Sequence, residues 1–117
     1  MIPLRVLVVE DDAAIGALLA EMLGQMGYDV CAVEATQASA VSAAARWHPD
    51  LMIVDIRLSE GSGVGAVDEI HRAGPVPHVF VSGDISGIRA LRPKAPMIQK
   101  PYREADLARV IQYALRT

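Results

Sequence analysis

Apolar residues fall into two alternating arrangements along this chain: short unbroken blocks, and stretches where they recur every third or fourth position. The blocks read as strands buried on both faces of a sheet, and the spaced stretches as helices lying on it. The first block is "LRVLVV" (4–9). It leads into "AAIGALLAEMLGQMG", where Ile15, Leu18, Leu19, Met22, Leu23 and Met26 sit at helical spacing and Gly27 stops the helix. "YDVCAV" (28–33) reads as a short strand, and "TQASAVSAAARW" (36–47) as an Ala-rich helix with Thr36 as N-cap. "PDLMIVDI" (49–56) is a third strand, and the loop "RLSEGSG" leads from it to a helix near 64–73 closed by Gly74 and Pro75. "PHVFVSGD" (77–84) is the fourth strand, followed by a short helical stretch from Ile85 to Leu91. Pro93 and Pro96 bracket a break before "MIQK", the fifth strand. In the closing "EADLARVIQYALRT", Leu107, Val110, Ile111, Ala114 and Leu115 share one helical face.

Five apolar strands alternating with helices predict an α/β fold with a parallel sheet covered on both faces. Right-handed crossovers suit a doubly wound sheet, most simply in the flavodoxin-like order 2-1-3-4-5. Ligands of such sheets bind beyond the carboxyl ends of the strands, where the winding reverses between strands one and three.

Composition narrows the picture. With 117 residues, the chain is expected to form one domain over 1–117, with a real core. Apolar residues make up 52% and charged residues 21%, which excludes a disordered chain. A net charge of −3 argues against nucleic acid as a partner, because such surfaces are normally basic. No stretch approaches the length of a membrane span, and the first residues lack a signal-peptide pattern. The lone Cys31, in apolar "DVCAV", excludes an internal disulfide or multi-cysteine metal site and reads as a buried inert thiol. These features predict a cytoplasmic protein.

The strand-end rule then decides which polar residues matter. Strand one ends in Glu10 and Asp11, strand three in Asp55, strand four in Ser82 and strand five in Lys100. Strand two, outside the reversal, stays apolar until Glu34. Three carboxylates at one edge repel one another and ask for a small hard cation, Mg2+ or Mn2+. Lys100 adds a compact positive charge and Ser82 a hydroxyl, both suited to phosphoryl oxygens. A carboxylate so placed can attack phosphorus, and Asp55 stands centrally. Asp12 reads instead as an acid at the N-terminus of the first helix. The glycines of "EGSGVG" lack the Lys-Ser/Thr that a P-loop needs, so they read as loop freedom near Asp55. His48, His71 and His78 show no ligand spacing and read as surface or strand-edge residues.

Four segments taken together, "VVEDD", "DLMIVDI…L…SG", "VFVSGD" and "KPY", resemble the receiver domain of bacterial two-component response regulators, over essentially the whole chain. The resemblance implies Asp55 as phospho-acceptor, Ser82 as switch hydroxyl, Lys100 as the family's lysine and Gly63 as its loop glycine. It implies a Lys100–Pro101 peptide bond that is usually cis. Mg2+ would be held by Asp11, Asp55 and the main-chain carbonyl of Arg57, with Glu10 acting through water. Three features depart from the pattern. Ser59 stands where proline is common, and Met97 replaces an aromatic residue. Lys100 follows Ser82 at an interval of only 18 positions, so the fourth helix must be short or irregular. "PHVFVSG" also resembles a subgroup of stand-alone or kinase-fused receivers with a reduced fourth helix.

The function so implied is transfer of a phosphoryl group from a sensor histidine kinase or phosphotransfer protein onto Asp55, switching a contact with a downstream protein. The chain would be no enzyme beyond its own phosphotransfer and autodephosphorylation, and a monomer or weak dimer. Helix four, strand five and helix five are the expected partner surface. Two rivals stand beside this. A haloacid-dehalogenase-like phosphatase needs Asp-x-Asp after strand one, where this chain has Glu-Asp-Asp. A degenerate receiver would serve as a phosphate-independent docking module.

Overall fold

The computed structural model describes residues 2–117. Ten elements alternate along it: β1 (Arg5–Val9), α1 (Ala13–Gln25), β2 (Asp29–Glu34), α2 (Gln37–Trp47), β3 (Leu51–Asp55), α3 (Gly63–His71), β4 (His78–Ser82), α4 (Ser86–Leu91), β5 (Met97–Gln99) and α5 (Glu104–Arg116). All strand pairs are parallel and the sheet order is β2-β1-β3-β4-β5, as the pattern predicts.

Alternation along the buried strands divides the core into two layers. Leu7, Val9, Met52, Val54, Phe80 and Met97 face α2, α3 and α4, meeting Ala40, Ala43, Ala44, Ala66, Val67, Ile70 and Ile88. Val6, Val8, Leu51, Ile53, Val79, Val81 and Ile98 face α1 and α5, meeting Leu19, Leu23, Leu107, Ile111 and Ala114. Both faces of β1, β3 and β4 are therefore apolar, which leaves the strand ends as the place for charge.

Local chemistry sets the helix starts. Asp12 caps α1 by accepting from the Ile15 N–H, Thr36 caps α2 from Ser39, and Ser62 caps α3 from Gly65. The acid role read for Asp12 is thus a side-chain cap. Of the apolar residues at helical spacing on α1, Leu19 and Leu23 are buried against the sheet, while Ile15 and Leu18 are 41% and 66% exposed. Only one stripe of a helix can touch a sheet, and α1 spends its close approach at Gly16, where a Cβ would lie 2.9 Å from Val33. Cys31 is half-buried, not buried, and its thiol donates to the Val6 carbonyl at 3.4 Å. Burial pushes that thiol's pKa up. The histidines are also less scattered than their spacing suggested. His71 and His78 meet edge to face with ring centroids 5.0 Å apart, and His78 stacks in the same way on Phe80.

Candidate functional site

The sheet register carries the polar residues to one edge. Val9 pairs with Val54, so Glu10 and Asp55 are the next residues out on β1 and at the end of β3. Asp55 pairs with Val81, placing Ser82 one step beyond it, and the Lys100 N–H donates to the Ser82 carbonyl at 2.8 Å. Each residue predicted from the strand-end rule therefore lies on this edge. Glu10, Asp55 and Ser82 are the buried polar residues there, while Asp11 is exposed.

Lys100 joins the carboxylates. Its ammonium lies 2.7 Å from Asp55 Oδ2 and 3.0 Å from Glu10 Oε1. Glu10 Oε2 accepts from the Asp12 N–H at 3.2 Å, and Asp55 Oδ1 accepts from the Arg57 N–H at 3.0 Å. Burial raises the pKa of Glu10 against the pull of the Asp12 N–H and the Lys100 ammonium, and the nearby Asp55 adds to the rise. Burial alone would lower Lys100, but its bonds to Asp55 and Glu10 prevail and hold it above the usual lysine range.

Glu10, Asp11 and Asp55 each offer an oxygen, and these oxygens all lie within 4.8 Å of one another. An all-oxygen, anionic donor set suits a hard divalent cation. Because Asp11 is exposed, the trio opens to solvent on one side, which suits an ion that keeps part of its water shell. Lys100 shares two of the three carboxylates, so an ion at this edge would meet a competitor as well as a site.

Ser82 Oγ is turned to the main chain of Asp84. It donates to the Asp84 carbonyl at 3.1 Å and accepts from the Asp84 N–H at 3.2 Å. The loop after Asp55 closes on itself: Arg57 and Ser62 form an antiparallel bridge, and the Gly63 N–H donates to the Ile56 carbonyl at 2.9 Å. A Cβ at Gly63 would collide with the Asp55 carbonyl, so the loop returns this close to β3 only with glycine there. The Lys100–Pro101 peptide bond is cis. Met97, at the position of the absent aromatic residue, is buried in β5.

Sequence reasoning did not anticipate that Lys100 pairs with Glu10. Nor did it find Gln37, which lies against the loop after Asp55 and accepts from the Ser62 N–H at 3.0 Å. Nothing in residue type flags such a contact, because its partner is main chain.

An open parallel sheet with carboxylates, a hydroxyl and a lysine gathered where its winding reverses defines the class of this protein, a doubly wound α/β domain with an acidic cluster at its strand ends. Within that class, the model of the response regulator receiver domain matches residues 6–112, and the chain belongs to that family. It is similar to the transcriptional regulatory protein PdtaR of Mycobacterium tuberculosis, 31% identical over 97% of this chain and 58% of that protein. It is also similar to the phyllosphere-induced regulator PhyR of Methylorubrum extorquens, 32% identical over 95% of this chain and 43% of that protein. The chain thus spans roughly half the length of these curated relatives. Among solved structures, the PhyR response regulator receiver domain of Erythrobacter litoralis superposes with a TM-score of 0.86 at 30% identity, covering 97% of this chain and 91% of that one. The receiver domain of a modulated diguanylate cyclase from Desulfovibrio desulfuricans G20 gives 0.85 at 30% identity, over 98% and 95% of the two chains.

Proposed function

We propose that this receiver domain takes a phosphoryl group onto Asp55, with Mg2+ or Mn2+ present, and thereby switches a protein contact. The observation that carries this reading is the Lys100 ammonium bonded to both Asp55 and Glu10, beside the Asp11 oxygen. The cation would be held by Asp11, Asp55 and the main-chain carbonyl of Arg57, with Glu10 acting through water. When bound, it would supply positive charge against the phosphoryl oxygens.

Asp55 supplies the nucleophile. A carboxylate oxygen forms the new bond to phosphorus, and the P–N bond of a phosphohistidine breaks, its electron pair leaving with the imidazole. Lys100 already stands at Asp55 Oδ2, where it meets the charge of the incoming group. The phosphorylated side chain carries roughly −1.5 to −2 charges at neutral pH. That charge gives Lys100 a stronger partner than Glu10, and it offers Ser82 Oγ an acceptor in place of the Asp84 carbonyl. Moving Ser82 moves the loop before α4, and a pre-existing switched population grows.

The donor in this reading is a sensor histidine kinase or a phosphotransfer protein of the cytoplasm. The downstream partner is a protein docking at α4, β5 and α5. These elements border a cavity of about 570 Å3 whose lining includes Arg89, Lys94, Arg109 and Asp106.

Acetyl phosphate tests the reading directly. Incubation with this donor and Mg2+ is expected to add one phosphoryl mass to the wild type and none to Asp55→Asn, measured by intact mass spectrometry. An unchanged wild-type mass would favour the phosphate-independent docking module.

A further inference from the structure

The loop after Asp55 is held from outside by the first residue of α2. The Gln37 main-chain N–H donates to the Glu60 carbonyl at 3.1 Å. Its Oε1 accepts from the Ser62 N–H at 3.0 Å, and its Nε2 donates to Glu69 Oε1 at 3.3 Å. One residue therefore ties α2 to the loop at two points and to α3 at a third. The two side-chain partners fix the orientation of the amide, since a backbone N–H needs an acceptor and a carboxylate needs a donor.

The space for this amide is made by absent side chains. A Cβ at either Gly61 or Gly65 would lie 2.6 Å from Gln37 Oε1. Gly61 also has φ +79°, a conformation that L side chains rarely adopt. Gly65 lies inside α3, where glycine is a poor helix former, so its presence calls for a local reason. Admission of Gln37 supplies one. Ser62, which Gln37 holds, is the bridge partner of Arg57 across the loop. The fastening at Gln37 therefore reaches, in two links, the residue whose carbonyl is assigned to the cation.

We propose that Gln37 is a positioning residue that clamps the loop after Asp55, so that the main-chain carbonyl of Arg57 is presented to the divalent cation. The proposal rests on the cation reading given above. It assigns Gly61 and Gly65 to the same device, as the walls of the Gln37 seat. The amide serves both partners at once, accepting from Ser62 and donating to Glu69. Glutamate keeps an acceptor for Ser62 but sets a like charge against Glu69, and alanine loses both bonds.

Two measurements on wild type, Gln37→Ala and Gly65→Ala test it: amide exchange of Ser62 in metal-free protein, and Mg2+ titration. Gln37→Ala is expected to speed Ser62 exchange about tenfold and to weaken Mg2+ about fivefold, while the β1 and β3 amides keep their protection. Gly65→Ala, whose new methyl displaces the amide, is expected to do the same. The double variant is expected to add nothing further, because both changes remove one contact. Wild-type Mg2+ affinity in Gln37→Ala would overturn the proposal while leaving the cation reading intact, and so would unchanged Ser62 exchange. A wild type that binds no Mg2+ would overturn the cation reading, and the role given to Gln37 with it.

Discussion

Lys100 sends one ammonium to two buried carboxylates, 3.0 Å from Glu10 and 2.7 Å from Asp55. In the absence of a cation it offsets the repulsion between those acids, and with one present it competes for the same oxygens. Lys100→Met is therefore expected to bind Mg2+ several-fold more tightly, yet to gain phosphate from acetyl phosphate more slowly. Calorimetric titration and mass spectrometry separate the two effects. Weaker Mg2+ binding in this variant would contradict the account. His78, at the far end of β4, has a different pH sensitivity. Burial is the main cause of its lowered pKa, assisted by His71 and Arg92 and opposed by the Val76 carbonyl and Asp68. The unfolded chain then binds the proton more readily than the native one, so the contribution of His78 to stability is full above about pH 6.5 and is lost as the pH falls below it. Urea midpoints are expected to drop from pH 7.5 to 5.5 in the wild type and to drop less in His78→Gln.

Elements differ in how firmly they are held. α5 buries Leu107, Ile111 and Ala114, whereas α4 has six residues, no side-chain cap at Ile85, and Ile88 as its one buried residue. Its C-terminal end is tied by Arg92 to Asp68 of α3 at 2.7 Å, with both side chains partly exposed, and such surface pairs contribute about 1 kcal/mol or less. Amides of α4 are expected to exchange fastest among the five helices, and those of α5 far more slowly. Protection of α4 equal to that of α3 would contradict this. The short helix was legible beforehand, because an interval of 18 positions from Ser82 to Lys100 leaves no room for more. Strands were legible as well, since burial on both faces writes them as unbroken apolar runs. The face of α1 was not: its spacing marks Ile15 and Leu18 as readily as Leu19 and Leu23, and only the line of contact with the sheet separates them. Site residues that end a strand could be read off the chain. Gln37 could not, because its seat is built from main-chain groups and from the missing side chains of Gly61 and Gly65.

For the whole molecule, the two apolar layers leave the buried strands no place for charge but their ends, and the reversal of winding chooses the end that collects it. Glu10, Asp11, Asp55, Ser82 and Lys100 come from the ends of β1, β3, β4 and β5, so the site exists only when these four strands are paired. The site is open to solvent at the exposed Asp11, while the half-buried Lys100 holds the buried Asp55 and Glu10 carboxylates together. The most direct test of this account reduces an acyl phosphate where it forms. After acetyl phosphate treatment, borohydride trapping and peptide mapping are expected to convert residue 55 to homoserine with Mg2+ present and to leave it aspartate with EDTA. Homoserine at another position, or equal trapping in EDTA, would contradict it.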